Sequence, residues 1–212
     1  AGPVRLPIDE AGRERERSDA LRMAERVLAA GFSRIVYVSS SQVYGDSSPE
    51  PIPETAPTPA PSAYGKLKLE LEGHFAGHAI ARLTNVYGPG MSPENVFSDI
   101  LVQLAALGDV RVQNPVPVRD YIHRTDAVAA LVALAASPGT GPFNVGTGRG
   151  ISVADLVRLL AMGRRTPSVS AVEMNPRPSC VILDCAKLRD LTGWRPRISL
   201  EEGVKTLIEV PR

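Results

Sequence analysis

The chain of 212 residues has few cysteines, no long apolar run and no excess of charge. Its two cysteines, Cys180 and Cys185, are too few for a disulfide framework, so we expect plain thiols in a reducing, cytoplasmic compartment. No apolar run approaches the roughly 20 residues of a membrane span, and the opening residues lack the pattern of a signal peptide. Its 24 basic side chains nearly balance 23 acidic ones, so neither a nucleic acid nor a membrane surface is expected as a partner.

The side chains that suggest chemistry are concentrated in one stretch, residues 34–72. Residues 35–38 (IVYV) form a short β-branched run that predicts a strand buried on both faces. The run ends in three serines, Ser39, Ser40 and Ser41. Hydroxyls at the carboxyl end of a parallel strand lie where open α/β sheets bind their ligands, although serines there also satisfy the backbone groups of loops.

A Pro-rich loop leads from these serines to a predicted helix that Ser62 is placed to cap. Tyr64 and Lys68 are four residues apart, so they share one face of that helix, with Cβ atoms about 5–6 Å apart. A nearby ammonium stabilises a phenolate and lowers the pKa of a tyrosine from its ordinary value of about 10. Such a phenol can exchange a proton with a substrate oxygen, and a serine hydroxyl beside it can hold the same oxygen.

Two purely structural interpretations compete with this chemistry. Tyr64 can belong to the apolar stripe that Leu71 and Phe75 continue along the same helix. Lys68 can form an i,i+4 ion pair with Glu72, which would be worth only about 0.2–0.5 kcal/mol. The sequence leaves both alternatives open.

Outside this stretch, helical periodicity alternates with short apolar runs, which is typical of an α/β protein. The pattern predicts helices over residues 10–30, 62–76, 95–107, 125–136, 152–162, 184–192 and 200–210. It predicts strands over residues 35–38, 79–83, 110–113, 143–145 and 169–172. No internal repeat is present.

A serine followed by Tyr-x-x-x-Lys resembles the constellation of the short-chain dehydrogenase/reductase superfamily. Six segments in order narrow the resemblance: SSSQVYGD (39–46), YGKLK (64–68), ARLTNVYGPG (81–90), RDYIH (119–123), FNVGTG (143–148) and GWRPRISLEEG (193–203). Together they are similar to the extended branch, the NAD-dependent epimerase/dehydratase family, which acts on nucleotide sugars.

The resemblance implies an α/β fold: the C-terminal part of a Rossmann-type parallel sheet with an interleaved small substrate-binding lobe. It implies a division into residues 1–88, the C-terminal half of an NAD(P)-binding Rossmann-like domain that includes the Ser/Tyr/Lys site, and residues 89–212, mainly the substrate-binding lobe. Residues 119–148 would return to the Rossmann-like domain. It also implies a homodimer built as a four-helix bundle from the helices around residues 10–30 and 62–76.

The resemblance also assigns roles to residues. The catalytic residues would be Ser40, Tyr64 and Lys68, and both Tyr64 and Lys68 would contact the NAD or NADP cofactor. The nucleotide-diphosphate sugar would be bound by Ser40, Ser41, Asn85, Arg119 and Arg177. The two arginines would clamp the diphosphate, for which a bidentate, permanently charged guanidinium is suited. Arg119 can alternatively pair with Asp120 or Asp126.

Residues 41–42 (Ser-Gln) bear on the reaction, because the 4,6-dehydratases of this family have Asp-Glu there. Serine and glutamine cannot supply a general acid and base at neutral pH, so we expect no dehydration. Oxidation and reduction at a sugar carbon, as in 4-epimerases and 4-ketoreductases, fits better. Residues 177–188 are similar to the corresponding segment of the 4-ketoreductases. No metal is expected, since His74 and His78 are two histidines without an evident third ligand.

The family's first βαβ unit, whose Gly-rich turn binds the cofactor pyrophosphate, has no counterpart in this sequence. The one candidate, residues 146–150, has the spacing G-x-G-x-G rather than G-x-G-x-x-G, so we do not expect it to bind the cofactor. Three explanations stay open: a sequence that is a fragment, a missing half that comes from another polypeptide or a symmetry mate, and a natural truncated relative. The third would be a non-catalytic protein that binds a sugar nucleotide or acts as a scaffold.

Overall fold

The computed structural model describes residues 9–46, 50–106, 109–163, 165–173 and 179–208. These residues form the helices α1 (Glu10–Ala29), α2 (Ala63–His74), α3 (Val96–Ala106), α4 (Arg124–Ala135), α5 (Val153–Leu160), α6 (Ala186–Thr192) and α7 (Leu200–Ile208). They also form the strands β1 (Val36–Ser40), β2 (Ala79–Leu83), β3 (Asn85–Tyr87), β4 (Val110–Val112), β5 (Val118–His123), β6 (Gly141–Val145), β7 (Gly150–Ser152), β8 (Val169–Ala171) and β9 (Cys180–Val181). Across these ranges no helix combines the length and the apolar character that crossing a membrane would require.

The main sheet has the order β1-β2-β6, and all of its strands run parallel. Successive side chains of a strand point to opposite faces, so each face has its own helical cover. On β2, Ile80 packs in the cluster with α1 and α2, whereas Ala81 packs with α4 and α6. The predicted α/β class with a parallel sheet is therefore confirmed, in three layers. Within the described ranges β1 is an edge strand, and its Val38 is 40% exposed.

Helices α1 and α2 form one cover of this sheet. Asp9 caps α1 by accepting a hydrogen bond from the Gly12 amide at 2.7 Å, as expected where a helix leaves its first amides unpaired. The two helices meet through buried apolar side chains, among them Ala24 of α1 and Leu71 of α2. The cover thus places the helix that carries Tyr64 and Lys68 directly against β1.

A second sheet has the order β3-β5-β7, and β9 pairs with the start of β5. Its apolar side chains join α3, α5 and α7 in a separate core that includes Phe97, Ile100 and Leu156. A further, two-stranded sheet, β4-β8, packs on the same core through Val110 and Val112. Because β3 follows β2 after one residue, the second sheet begins where the first one ends.

The hydrophobic pattern does not predict strands β3, β5, β7 and β9, although it predicts the remaining five with ends that differ by a few residues. Strand β5 carries Asp120 and His123, which are polar side chains and nonetheless buried. Their burial depends on partners that come from distant parts of the chain, which a local pattern cannot indicate. Strand β1 also continues through Ser39 and Ser40, beyond the predicted end at residue 38.

Candidate active site

Strand β1 ends at the serines that the sequence singles out. The Ser40 Oγ accepts a hydrogen bond from the Gln42 amide at 3.2 Å and so begins a 3₁₀ turn, Ser41–Val43. Ser40 is partly exposed, whereas Ser41 is buried. Of the two predicted substrate contacts, Ser40 is therefore the hydroxyl that a ligand reaches more easily.

The first turn of α2 packs against this 3₁₀ turn. Ser62 caps α2 as predicted: its Oγ accepts from the Gly65 amide at 3.0 Å and donates to the Gln42 Oε1 at 3.1 Å. A Cβ added to Gly65 would lie 2.8 Å from the Gln42 carbonyl oxygen, so the two backbones approach closely only because residue 65 is glycine. This contact brings Tyr64, the residue before Gly65, to the end of β1.

The ammonium of Lys68 lies between two tyrosine rings. Its Nζ is 5.6 Å from the ring centroid of Tyr64 and 5.3 Å from that of Tyr37, within the range of a cation–π interaction. It donates a hydrogen bond to the Val38 carbonyl oxygen at 2.9 Å. Burial lowers the pKa of Lys68, because a half-buried ammonium loses part of its hydration.

The geometry excludes both purely structural interpretations, that of Tyr64 as part of an apolar stripe and that of Lys68 as the ion-pair partner of Glu72. Tyr64 is 40% exposed, while Leu71 and Phe75 are buried in the cluster beneath α2, so Tyr64 does not belong to the apolar stripe. Lys68 hydrogen-bonds a strand carbonyl, and its expected partner Glu72 is engaged elsewhere. The interpretation of Lys68 and Glu72 as a surface ion pair is wrong.

Glu72 is the centre of a buried polar network that sequence reasoning missed. Its carboxylate receives Arg82 Nη2 at 2.6 Å and Nε at 3.0 Å, and it accepts a hydrogen bond from Ser39 Oγ at 2.6 Å. The side chains of Glu72 and Arg82 are only 7% and 6% exposed. The signal in the sequence was the arginine in AIARL (79–83), a charge inside an otherwise apolar strand.

The network continues from Arg82 across the sheet. Arg82 Nη1 donates to the Tyr44 hydroxyl at 2.9 Å, and that hydroxyl donates to Asn144 Oδ1 at 2.7 Å. The Asn144 amide group donates in turn to the Ile52 carbonyl oxygen at 2.8 Å. Burial raises the pKa of Tyr44, against the opposite influence of Arg82. The network therefore joins β1, α2, β2, β6 and the Pro-rich loop.

The predicted substrate residues Asn85 and Arg119 lie in the second sheet. Asn85 is exposed, and its side-chain amide donates to the Asp120 carbonyl oxygen at 3.1 Å. Arg119 pairs with Asp46 at 3.2 Å and donates to the Ser179 carbonyl oxygen at 3.1 Å. The alternative pairing of Arg119 with Asp120 or Asp126 is therefore wrong. Arg177 lies outside the described residues.

The glycine-containing run 146–150 holds a carboxylate of the protein itself. The amides of Thr147 and Gly148 both donate to Asp120, each at 3.0 Å, and the Thr147 hydroxyl donates at 2.6 Å. A Cβ on Gly146 would lie 2.5 Å from Asp120 Oδ2, so glycine is needed for this approach. With its amides occupied in this way, the run is not available as a pyrophosphate loop.

A cavity of about 900 Å³ lies between residues 146–151, 183–189 and 194–201. Its lining does not include Ser40, Tyr64 or Lys68. We place the candidate site at the end of β1 nonetheless, because the chemically suited groups converge there. Among the described residues no group of three or more His, Cys, Asp or Glu side chains could hold a metal ion.

Comparison with known proteins gives a family match. The model of the "NAD dependent epimerase/dehydratase family" matches residues 14–146. The UDP-glucose 4-epimerase of Streptomyces lividans is 29% identical over 203 residues, which cover 83% of this chain and 62% of that protein. The UDP-glucose 4-epimerase of Bacillus subtilis (strain 168) is 30% identical over 213 residues, which cover 85% of this chain and 63% of that protein. The chain thus spans less than two thirds of the length of these curated relatives.

Solved structures agree with this match. The UDP-glucose 4-epimerase of Thermotoga maritima, solved with UDP-glucose, superimposes with a TM-score of 0.84 at 26% identity, over 99% of this chain and 74% of that one. MoeE5 in complex with UDP-glucose and NAD gives a TM-score of 0.77 at 28% identity, over 90% and 68%. RMD from Pseudomonas aeruginosa, complexed with NADPH, has a TM-score of 0.86 at 23% identity, over 98% and 78%, and so shows the fold alone.

Proposed function

Because the chain belongs to the NAD dependent epimerase/dehydratase family, we propose that it acts as an NAD(P)-dependent nucleotide-sugar epimerase or 4-ketoreductase. The observation that carries the proposal is the position of Lys68 Nζ, 5.6 Å from the Tyr64 ring centroid, on a helix that packs against the turn after Ser40. These three side chains are the ones that proton exchange at a sugar hydroxyl requires.

Each of the three residues has a distinct task at the reacting oxygen. Tyr64 accepts the proton of the sugar hydroxyl during oxidation and returns it during reduction. The Lys68 ammonium stabilises the negative charge of the Tyr64 phenolate, and its hydrogen bond to Val38 fixes where that charge lies. Ser40, partly exposed at the end of β1, donates a hydrogen bond that orients the same oxygen.

The residues described here fit the nicotinamide side of a dinucleotide. An ammonium has three donors, and the structure describes a protein acceptor for one of those on Lys68, which leaves donors for ribose hydroxyls. Tyr64 would lie against the same ribose. The bound nicotinamide supplies the group that takes up or releases a hydride at the sugar carbon. Support for a cofactor also comes from MoeE5, which was solved with NAD.

For the substrate we propose a nucleotide-diphosphate sugar. The similar Thermotoga maritima enzyme and MoeE5 were both solved with UDP-glucose. Asn85 is exposed at the start of β3, and Arg119 has a bidentate guanidinium suited to a diphosphate. Arg177 would act with Arg119 as the second arginine of the clamp. A homodimer through α1 and α2 is part of the same proposal.

One observation favours a second candidate function, the binding of a sugar nucleotide without turnover. Within the described ranges, the G-x-G-x-G run binds Asp120 rather than remaining open for a pyrophosphate. In this function the substrate residues would hold the nucleotide sugar, while redox chemistry would depend on a pyrophosphate loop from outside the described residues.

The test combines a binding and a turnover measurement. Titration with NAD(H) and NADP(H), followed by nicotinamide fluorescence, should show saturable binding, and incubation with UDP-glucose should give a changed sugar by NMR. Ser40→Ala should slow turnover by roughly 10²-fold while nucleotide-sugar binding stays within a few-fold. Saturable binding of the nucleotide sugar with no cofactor binding and no product would support the second function and refute the first.

A further inference from the structure

The carboxylate of Glu72 connects the strand that carries Ser40 to the helix that carries Tyr64 and Lys68. Ser39, the residue before Ser40, donates its hydroxyl to Glu72 Oε1 at 2.6 Å. Glu72 lies one helical turn after Lys68 on α2. This hydrogen bond, together with the one from Lys68 to the Val38 carbonyl oxygen, therefore joins the two elements whose relative position decides the site geometry.

The Glu72 carboxylate is itself held in place. Arg82 of β2 binds it through Nε and Nη2, at 3.0 and 2.6 Å, and the guanidinium is fixed from its other side by Tyr44. A buried ion pair contributes little net stability, because the loss of hydration offsets most of the attraction between the charges. Such a network instead fixes the positions of its side chains, since each group has one arrangement that satisfies its hydrogen bonds.

Two contacts, one at each end of the catalytic segment of α2, fix the helix on β1. At the amino end, Ser62 and Gly65 contact Gln42, which follows Ser40 by two residues. At the other end, Glu72 contacts Ser39. Tyr64 and Lys68 lie between these contacts, so α2 cannot slide or rotate on β1 without breaking one of them.

We propose that Glu72, fixed by Arg82 and bound by Ser39, is a positioning residue that sets the distance between Ser40 and the Tyr64–Lys68 pair. This inference rests on the proposed function. It extends the site to residues that do not touch the substrate. Reaction rates are sensitive to such distances, because a displacement of about 1 Å can cost roughly 10²-fold in rate.

Ser39→Ala is the sharpest variant, since it removes the contact without changing any charge. We expect kcat to fall by roughly tenfold while KM stays within about twofold, because the contacts to the substrate are untouched. Ser39→Thr keeps the hydroxyl and should restore most of kcat. The matched control is Glu70→Gln, which breaks the exposed Arg17–Glu70 pair on the same helix and should leave kcat unchanged.

A second readout needs neither cofactor nor substrate. In Ser39→Ala, hydrogen exchange at the Gln42 and Gly65 amides should become several-fold faster, because α2 is then held less firmly on β1. These two amides bond to Ser40 and Ser62, where the helix meets the turn after the strand. In Glu70→Gln these amides should exchange at the wild-type rate. An active wild-type protein whose Ser39→Ala variant keeps its kcat would overturn this inference alone. A wild-type protein without turnover would overturn the proposed function. Unchanged hydrogen exchange in Ser39→Ala would show that the Ser39–Glu72 hydrogen bond does not hold α2 on β1, and would refute this inference.

Discussion

Gly65 and Gln42 make a contact that leaves no room for a side chain on the helix: a Cβ on Gly65 would lie 2.8 Å from the Gln42 carbonyl oxygen. Backbone atoms cannot move aside as the tip of a flexible side chain can. The position of Tyr64 next to the end of β1 therefore depends on the absence of a single methyl group.

The first prediction compares two glycines of α2. Gly65→Ala should destabilise the fold and reduce turnover, because the new methyl group pushes the helix away from the 3₁₀ turn. Gly73→Ala has nothing within 4 Å of the new Cβ and should stabilise the protein by up to about 1 kcal/mol. Thermal and urea unfolding of both variants provides the measurement. Equal effects of the two substitutions would show that the close contact does not exist in solution.

The second prediction concerns the buried ion pair. Arg82→Met leaves the Glu72 carboxylate buried without its partner and should lower the free energy of unfolding by about 3–5 kcal/mol. The double variant Arg82→Met/Glu72→Leu should recover most of this loss, since two apolar side chains fill the same space. Urea unfolding of the wild type, of Arg82→Met, of Glu72→Leu and of the double variant forms a double-mutant cycle. A double variant as unstable as Arg82→Met would contradict the assignment of the loss to an unpaired charge.

The third prediction tests Arg119 through substitutions of opposite effect. Arg119→Lys loses the bidentate fork and should weaken nucleotide-sugar binding by roughly tenfold, with little change in kcat. Asp46→Asn removes the carboxylate that competes for the guanidinium and should tighten binding by up to about fivefold, as for an exposed ion pair. Isothermal titration calorimetry measures both affinities. Weaker binding in Asp46→Asn would mean that the Arg119–Asp46 pair exists in the bound state as well.

The fourth prediction concerns pH and His123. Burial lowers the pKa of His123 below its ordinary value of about 6.5, and the charge of Arg124 acts in the same direction while Asp126 opposes it. The unfolded chain then binds a proton that the folded chain does not, so stability should fall as pH drops below about 6.5 and level off below the folded pKa. His123 also caps α4 by accepting from the Thr125 amide at 3.3 Å.

His123→Asn provides the control for this titration. Asparagine keeps a cap acceptor for α4 and removes the ionisable group. The variant should be less sensitive to pH between about 5 and 7 than the wild type. An identical pH dependence of urea unfolding in both proteins would assign the effect to another group.

The local sequence pattern predicts those parts of the fold that are buried through apolar side chains. Strand β2 has the predicted bounds, and Ser62 caps α2 as expected, because a buried AIARL run and a serine before a helix are local signals. Strand β5 was not predicted, since the buried carboxylate of Asp120 has its partners in the amides of residues 147 and 148 and in the Thr147 hydroxyl. A polar residue whose partner lies far along the chain carries no periodic signal.

The candidate site shows the same division between local and distant signals. The family, now confirmed, was predictable from motifs that lie in order along the chain, and Tyr64 and Lys68 share a helix face as the i,i+4 spacing requires. The partner of Glu72 was not predictable in this way. Its neighbour Lys68 offered a local pair, and the structure instead uses Arg82, which a different strand brings beneath the helix.

The central claim is that the Tyr64 hydroxyl carries the proton at the sugar oxygen. Its most direct test is single-turnover nicotinamide absorbance with a nucleotide sugar, comparing Tyr64→Phe with Tyr37→Phe. Both variants keep an aromatic ring beside Lys68, whose Nζ lies 5.6 and 5.3 Å from the two ring centroids, and each loses one hydroxyl. We predict that Tyr64→Phe slows the absorbance change by at least about 10²-fold and that Tyr37→Phe stays within a few-fold of the wild type. A Tyr64→Phe protein that turns over at the wild-type rate would contradict the account.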